Sequence, residues 1–258
     1  VVDLGDWRLL AVFIVGIAGA ILLSEIGRSM VKRHGGSRAL DLSALETAVL
    51  GLLALMIGFT FAMALSRFDA RRDALVNEAN TIGTTLLRAR LLPSPISEET
   101  LALLRKYTQS RLAAVESFTS AERMKRALDD TGQIQAALWQ KAQAFTTKDT
   151  AMVPGGILLQ ALNDMFGAQT VFMFALHSRV PNGVFWALYG VGAVAFLFVG
   201  YANGLSGRSI RVPIYLMAAV VSGLIVLIQD LDRPTLGLIN VTNEPLIEVI
   251  RAIDTYRE

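Results

Sequence analysis

The sequence predicts an all-α protein that crosses a membrane four times and carries a helical extramembrane module between its second and third crossings. Three observations predict it. Apolar residues make up 53% of the 258 and charged ones only 18%, against about 25% charged in soluble domains. The apolar residues fall in blocks rather than an even scatter, and four blocks suit a helix crossing ~30 Å of hydrocarbon. The stretch between the second and third blocks keeps a helical period with no strand alternation and no internal repeat. The expected organisation is 1–66 for the first two spans, 67–181 for the module, 182–230 for spans three and four, and 231–258 for a tail.

Composition also removes whole function classes. There is no cysteine and there are two histidines, His34 and His177, far apart in the chain. Disulfide, thiolate and zinc-knuckle chemistry is therefore excluded, and a His-built metal site is not expected. Net charge is +2 and pI about 9.0, too mild a bias for nucleic acid. The basic residues sit beside apolar blocks, where they suit membrane flanks. No GxSxG, GxxxxGK[ST] or HExxH occurs, and the serines of the module have no histidine near them. No enzyme, metal or cofactor is expected.

The first span is Leu9–Leu23, with Trp7 as an interfacial anchor. Ser24-Glu25-Ile26 is a poor cleavage site, so the block reads as a span rather than a signal core. Gly16 and Ala20 form a small-xxx-small pair that suits either helix packing or lipid. A short basic loop follows, with Arg28, Lys32, Arg33 and Arg38, read as a topology signal or a headgroup surface.

Thr47 to Pro93 is the stretch around which the chain is organised. It is uncharged from Ala48 to Leu65, then polar with Leu75, Ile82, Leu86 and Ala89 on one face. One helix half in lipid and half beyond it is expected, ended by Pro93 and Pro95. Ser97 with Glu98 and Glu99 predicts the start of a helix over Ser97–Phe118. Another is expected over Ser120–Thr146. Val153-Pro154-Gly155-Gly156 reads as a break, and Ile157–Ser178 resumes a helix.

Gly183–Gly207 is the third span, with Trp186, Tyr189 and Tyr201 toward its ends. Val212–Gln229 is the fourth, between Arg208, Arg211 and Asp230. The tail from Asn243 to Arg257 reads as an amphipathic helix with Leu246, Val249, Ile250 and Ile253 inward. Four spans place both termini and the module on one side. The short loops carry Arg28, Lys32, Arg33, Arg38, Arg208 and Arg211, against Asp3, Asp6 and Arg8 at the N-terminal flank. The positive-inside rule thus makes the short loops cytoplasmic, although Arg67, Arg71 and Arg72 crowd the opposite end of span two.

Two constellations could carry function. Ile57, Phe61 and Leu65 stack at i, i+4 and i+8, and Asn77, Asn80, Thr81, Thr84 and Arg88 continue as a polar stripe beyond the membrane. Several copies around an axis would make a conduit with an apolar constriction; the same spacing also suits an ordinary span and a solvated face. The second is charge at the membrane edge: Arg67, Asp69, Arg71, Arg72, Asp73 and Glu78 after span two, and Asp230, Asp232 and Arg233 after span four. Arg71 or Arg72 pairing with Asp230 or Asp232 would form a structural clamp. The two aspartates alone are thin for a calcium site, which wants six to eight oxygens.

GFTFAMALSRFDARRDALVNEANTIGTTLLRARLLP resembles the bacterial bestrophin-like membrane family. The residues that carry the resemblance are Gly58-Phe59, Arg67 to Arg72, Glu78-Ala79-Asn80 and Thr84 to Arg90. A second landmark follows in order, Leu231-Asp232-Arg233-Pro234 and then Gly237, so the resemblance covers residues 45–245. It implies a four-span, pentameric ion channel lined by the second span, with an apolar neck that Ile57, Phe61 and Leu65 match in spacing. It further implies a homo-oligomer in a bacterial cytoplasmic membrane, with the bilayer and permeant inorganic ions as partners. Arg71, Arg72, Asp230 and Asp232 would brace its subunit interface, and arginine at the mouth would favour anions weakly. The family's acidic calcium clasp has no counterpart here. The family keeps its helical region in the cytoplasm, opposite to the charge count. The alternative reading is a non-conducting scaffold or sensor whose module binds a partner protein.

Overall fold

A computed structural model describes residues 7–34, 42–117, 120–148, 153–206, 211–234 and 238–255. Among them are eight helices and no strand: α1 Trp7–His34, α2 Ser43–Ala89, α3 Ile96–Glu116, α4 Ala121–Lys148, α5 Val153–His177, α6 Asn182–Leu205, α7 Arg211–Asp232 and α8 Glu244–Thr255. Asp3, Asp6, Arg38, Arg208 and Gly237 lie outside the described residues. Four segments, Trp7–Arg33, Ser43–Ala89, Pro154–Leu205 and Arg211–Asp232, are long and apolar enough to hold a membrane crossing. The protein is a multi-pass, all-helical membrane protein.

The chain divides into two compact units. One holds Val1–Phe68 and Arg179–Ile239, the other Asp69–Ser178 and Asn240–Glu258. Helix α2, 47 residues long, contributes to both.

In the first unit α1 packs on α6 and α7. The contact is close because three glycines remove side chains where the helices cross. A Cβ on Gly27 would overlap the Leu197 carbonyl, one on Gly200 would overlap the Ser24 backbone, and one on Gly204 would meet Val31 and Arg28 at 3.1–3.2 Å. Gly16 likewise faces Ser222, and Ala20 is buried beside Phe196 and Ala218. The small pair on span one is thus a packing face, and small residues are what let helices approach closely in lipid. Large apolar side chains such as Leu10, Ile14, Val15, Leu216 and Val220 are exposed on the same helices. That suits a hydrocarbon surround, where apolar exposure carries no hydrophobic penalty. At the short-loop end of these helices Glu25 accepts from Tyr215 Oη at 3.1 Å and pairs with Arg211 at 3.2 Å.

The second unit builds a water-type core. Leu75, Ile82 and Ala89 of α2 bury against Leu104 and Tyr107 of α3, Leu138 of α4, Leu162, Met165 and Phe172 of α5, and Leu246 of α8. The spacing of 75, 82 and 89 is seven, so one face of α2 supplies all three. In α8, Leu246 and Ile253 are buried, at the same spacing, while Val249 packs at the core margin and Ile250 is half-buried.

Helix α3 starts at Ile96, as Ser97 with Glu98 and Glu99 predicted, whereas the start of α5 differs from expectation. Ser97 does not cap α3; its hydroxyl donates to Ala89 O at 3.0 Å and so closes the end of α2. Pro95 precedes α3 instead, and Ser94 Oγ donates to Glu98 at 2.8 Å. Val153-Pro154-Gly155-Gly156 is not a break but the first turn of α5. Proline is tolerated there because the first-turn N–H groups have no helical acceptor. Gly155 lies close against α4, where a Cβ would meet Thr146 Oγ1 at 2.9 Å.

Candidate functional site

In the first unit, α2 buries Leu53, Thr60 and Ala64 and turns its other face outward. Ile57 and Phe61 lie on the packed side. Both are half-buried against a cluster built on Ala64, Val180, Ile228 and Leu231. Leu65 is exposed. Two of the three expected neck side chains are thus half-buried against their own chain in the first unit. The outward face instead presents Leu55, 54% exposed, and Phe59, 62% exposed, four residues apart, followed by Ala62 and Ser66.

Helical register separates the faces of α2. At about 100° per residue, Ile57 and Asn77 stand roughly 160° apart around the axis. An ideal helix would set them on different faces. A separation of eighteen residues is about five full turns. It relates Leu55 to Asp73, Phe59 to Asn77, Ala62 to Asn80, and Ser66 to Thr84. All eight are exposed in their respective units. The polar stripe expected beyond the membrane was thus the signal that could have located the apolar one.

The remaining expected stripe residues are tied to backbone. Thr81 is half-buried and donates to Glu78 O at 2.8 Å. Arg88 donates to Ile157 O at 3.3 Å. Thr84 donates to Asn80 O at 3.0 Å but stays exposed.

The charges separate into different roles. Arg67 and Arg72 are exposed, whereas Arg71 is 1% exposed. Glu78 is not an edge charge at all: it is fully buried and paired bidentately with Arg111 of α3, at 2.5 and 3.2 Å. Arg111 was missed in the sequence, although it shares the face of Leu104, Thr108 and Val115 at spacings of seven, three and four. A charge among such residues normally reads as solvated. Beside this pair, Tyr107 is buried and donates to Gln169 Oε1 at 2.7 Å, which also accepts from Gln135 at 2.7 Å. Burial, reinforced by the Glu78 carboxylate and opposed by Arg111, pushes the Tyr107 phenol well above its usual range.

Asp230 and Asp232 are buried and hold backbone. Asp230 accepts from Leu238 N at 3.0 and 3.1 Å and from Ile239 N at 3.0 Å. Asp232 Oδ1 accepts from Val180 N at 2.7 Å. These carboxylates therefore fix the chain entering α6 and leaving α7. Carboxylates taking up backbone N–H groups in this way explain the LDRP landmark in physical terms. Arg233 lines a cavity at the same end of the two helices.

The fold defines a multi-pass helical membrane protein whose longest helix, among the described residues, leaves apolar side chains exposed in the first unit and polar ones exposed in the second. The chain matches the bestrophin-like domain family over residues 17–246 and belongs to that family. No protein of curated function matches it. Among solved structures it is similar to a bacterial bestrophin homologue from Klebsiella pneumoniae solved by zinc phasing, with 13% identity, 95% of this chain and 96% of that one covered, and a TM-score of 0.69. A point variant of a bacterial bestrophin homologue from the same organism matches at 14% identity, with 97% and 100% coverage and a TM-score of 0.69. A second variant gives 15% identity, 96% coverage of each chain and a TM-score of 0.70.

Proposed function

We propose that the protein is the subunit of a homo-oligomeric ion channel, with five copies arranged so that the outward face of α2 lines the axis. The observation that carries this reading is the stripe on α2, which leaves Leu55 and Phe59 exposed at one level and Asp73, Asn77 and Asn80 exposed about five turns on. A ring of Leu55 and Phe59 side chains is an apolar neck that can gate by dewetting. A polar vestibule beyond it, from Asn77, Asn80 and Thr84, keeps a permeating ion hydrated.

The stripe also bears on the ion. Asp69 and Asp73 are exposed on it, while Arg71 is buried off it. Rings of carboxylates favour cations, so the mouth selects cations rather than the anions that the arginines alone suggested. The membrane is the cytoplasmic membrane of a bacterium.

Recordings from purified protein in planar bilayers test the reading. Phe59→Ala is expected to raise conductance or leak. Phe61→Ala is expected to lower stability and leave unitary conductance near wild type, because that ring packs within its own subunit. Asp69→Asn with Asp73→Asn is expected to move the reversal potential in a salt gradient toward anions. Silent membranes for wild type and Phe59→Ala alike, or a monomeric mass in mild detergent, would overturn the channel reading in favour of a non-conducting scaffold.

A further inference from the structure

We infer that a cavity at the module-side ends of α6 and α7 binds the phosphate headgroup of an anionic membrane lipid. The cavity, about 370 Å³, is lined by Arg179, just before α6, and by Arg233, just after α7, together with Asp232, Gln229, Trp186 and Tyr189. It lies wholly within the first unit and does not involve the α2 stripe, so the inference is independent of conduction.

The lining is layered as a bilayer edge is. Two guanidiniums stand at the outer level, where two like charges at the border of a low-dielectric region call for an anion. With Asp232 included the cavity keeps a formal charge of +1. Guanidinium forks match phosphate oxygens in geometry and bind them with charge-assisted hydrogen bonds. One turn into α6, Trp186 is 75% exposed, as an indole at the headgroup level is expected to be. One turn deeper, Gln229 Nε2 donates to Tyr189 Oη at 2.6 Å. That leaves the amide oxygen of Gln229 and the Tyr189 hydroxyl proton to meet the hydroxyls of a glycerol headgroup. Val194 follows on the Trp186 face at i+8 and is exposed, a path for an acyl chain. Basic pockets between membrane helices bind lipid headgroups through this combination of charge and apolar surface.

The net positive charge favours a lipid with a net negative headgroup over a zwitterionic one. Full-length protein is purified from nanodiscs of phosphatidylglycerol or phosphatidylcholine, and retained lipid is counted by native mass spectrometry. Wild type is expected to retain phosphatidylglycerol preferentially. Arg179→Ala with Arg233→Ala is expected to weaken that retention by at least about tenfold, as the loss of charge-assisted hydrogen bonds to the phosphate would. Millimolar glycerol phosphate or inorganic phosphate is expected not to displace the lipid. Displacement by either would identify a free-phosphate site and overturn the lipid assignment. Retention unchanged in the folded double variant would overturn it as well. Should the double variant fail to fold, Arg179→Gln at its exposed position decides: reduced retention supports the site, and wild-type retention refutes it.

Discussion

Glu78 and Arg111 are each 0% exposed and bonded to one another through two hydrogen bonds. Removing one partner leaves the other charge buried without compensation, which costs about 3–5 kcal/mol. Arg111→Met is therefore expected to lower the unfolding free energy by roughly that amount, read by denaturant titration of the detergent-solubilised protein. Adding Glu78→Leu to Arg111→Met is expected to recover most of the loss, because a buried pair replaced by apolar groups of similar volume is often neutral. The sequence did not reveal this pair. A glutamate soon after a membrane span reads as an edge charge, and an arginine on a soluble helix reads as a solvated one. Only the packing of α3 on α2 brings them together. Asp230 and Asp232 were legible as special residues, but the backbone N–H groups they accept from carry no sequence signature.

At the level of elements, the four spans and the helical module were legible because lipid and water each impose a period on the chain. Length and apolar content find a span, and the seven-residue recurrence of Leu75, Ile82 and Ala89 finds the buried face of α2. Helix starts were legible for α3 and not for α5. Ser97 has the right residue type for a cap, but the end of α2 lies close enough to claim its hydroxyl. Large apolar residues occur on every side of a span, so spacing alone does not say which side of α2 is outward. The α1–α6 crossing gives the sharpest element-level expectation. Gly200 touches the Ser24 backbone with no room for a Cβ. Gly200→Leu is expected to force the helices apart at a cost of at least ~1–3 kcal/mol, seen as a lower thermal midpoint and reduced yield of intact protein. Gly190→Ala, where a Cβ meets nothing within 4 Å, is expected to be nearly silent.

For the whole molecule, the division into a lipid-suited unit and a water-suited unit follows from where burial falls. The first leaves leucine, isoleucine and valine side chains exposed on its helices. The second gathers its own apolar residues around Tyr107 and Met165. The chain passes from one to the other through α2 without a break at Phe68 and Asp69. An unbroken helix behaves like a ratchet whose teeth are counted. Losing a single residue at that junction would swing every later side chain by about 100° relative to the earlier ones, parting Phe59 from Asn77. Losing seven would bring the two back to within about 20°. If the conduit runs along this rod, the seven-residue deletion should conduct in bilayer recordings and the one-residue deletion should not, although the former removes far more of the chain.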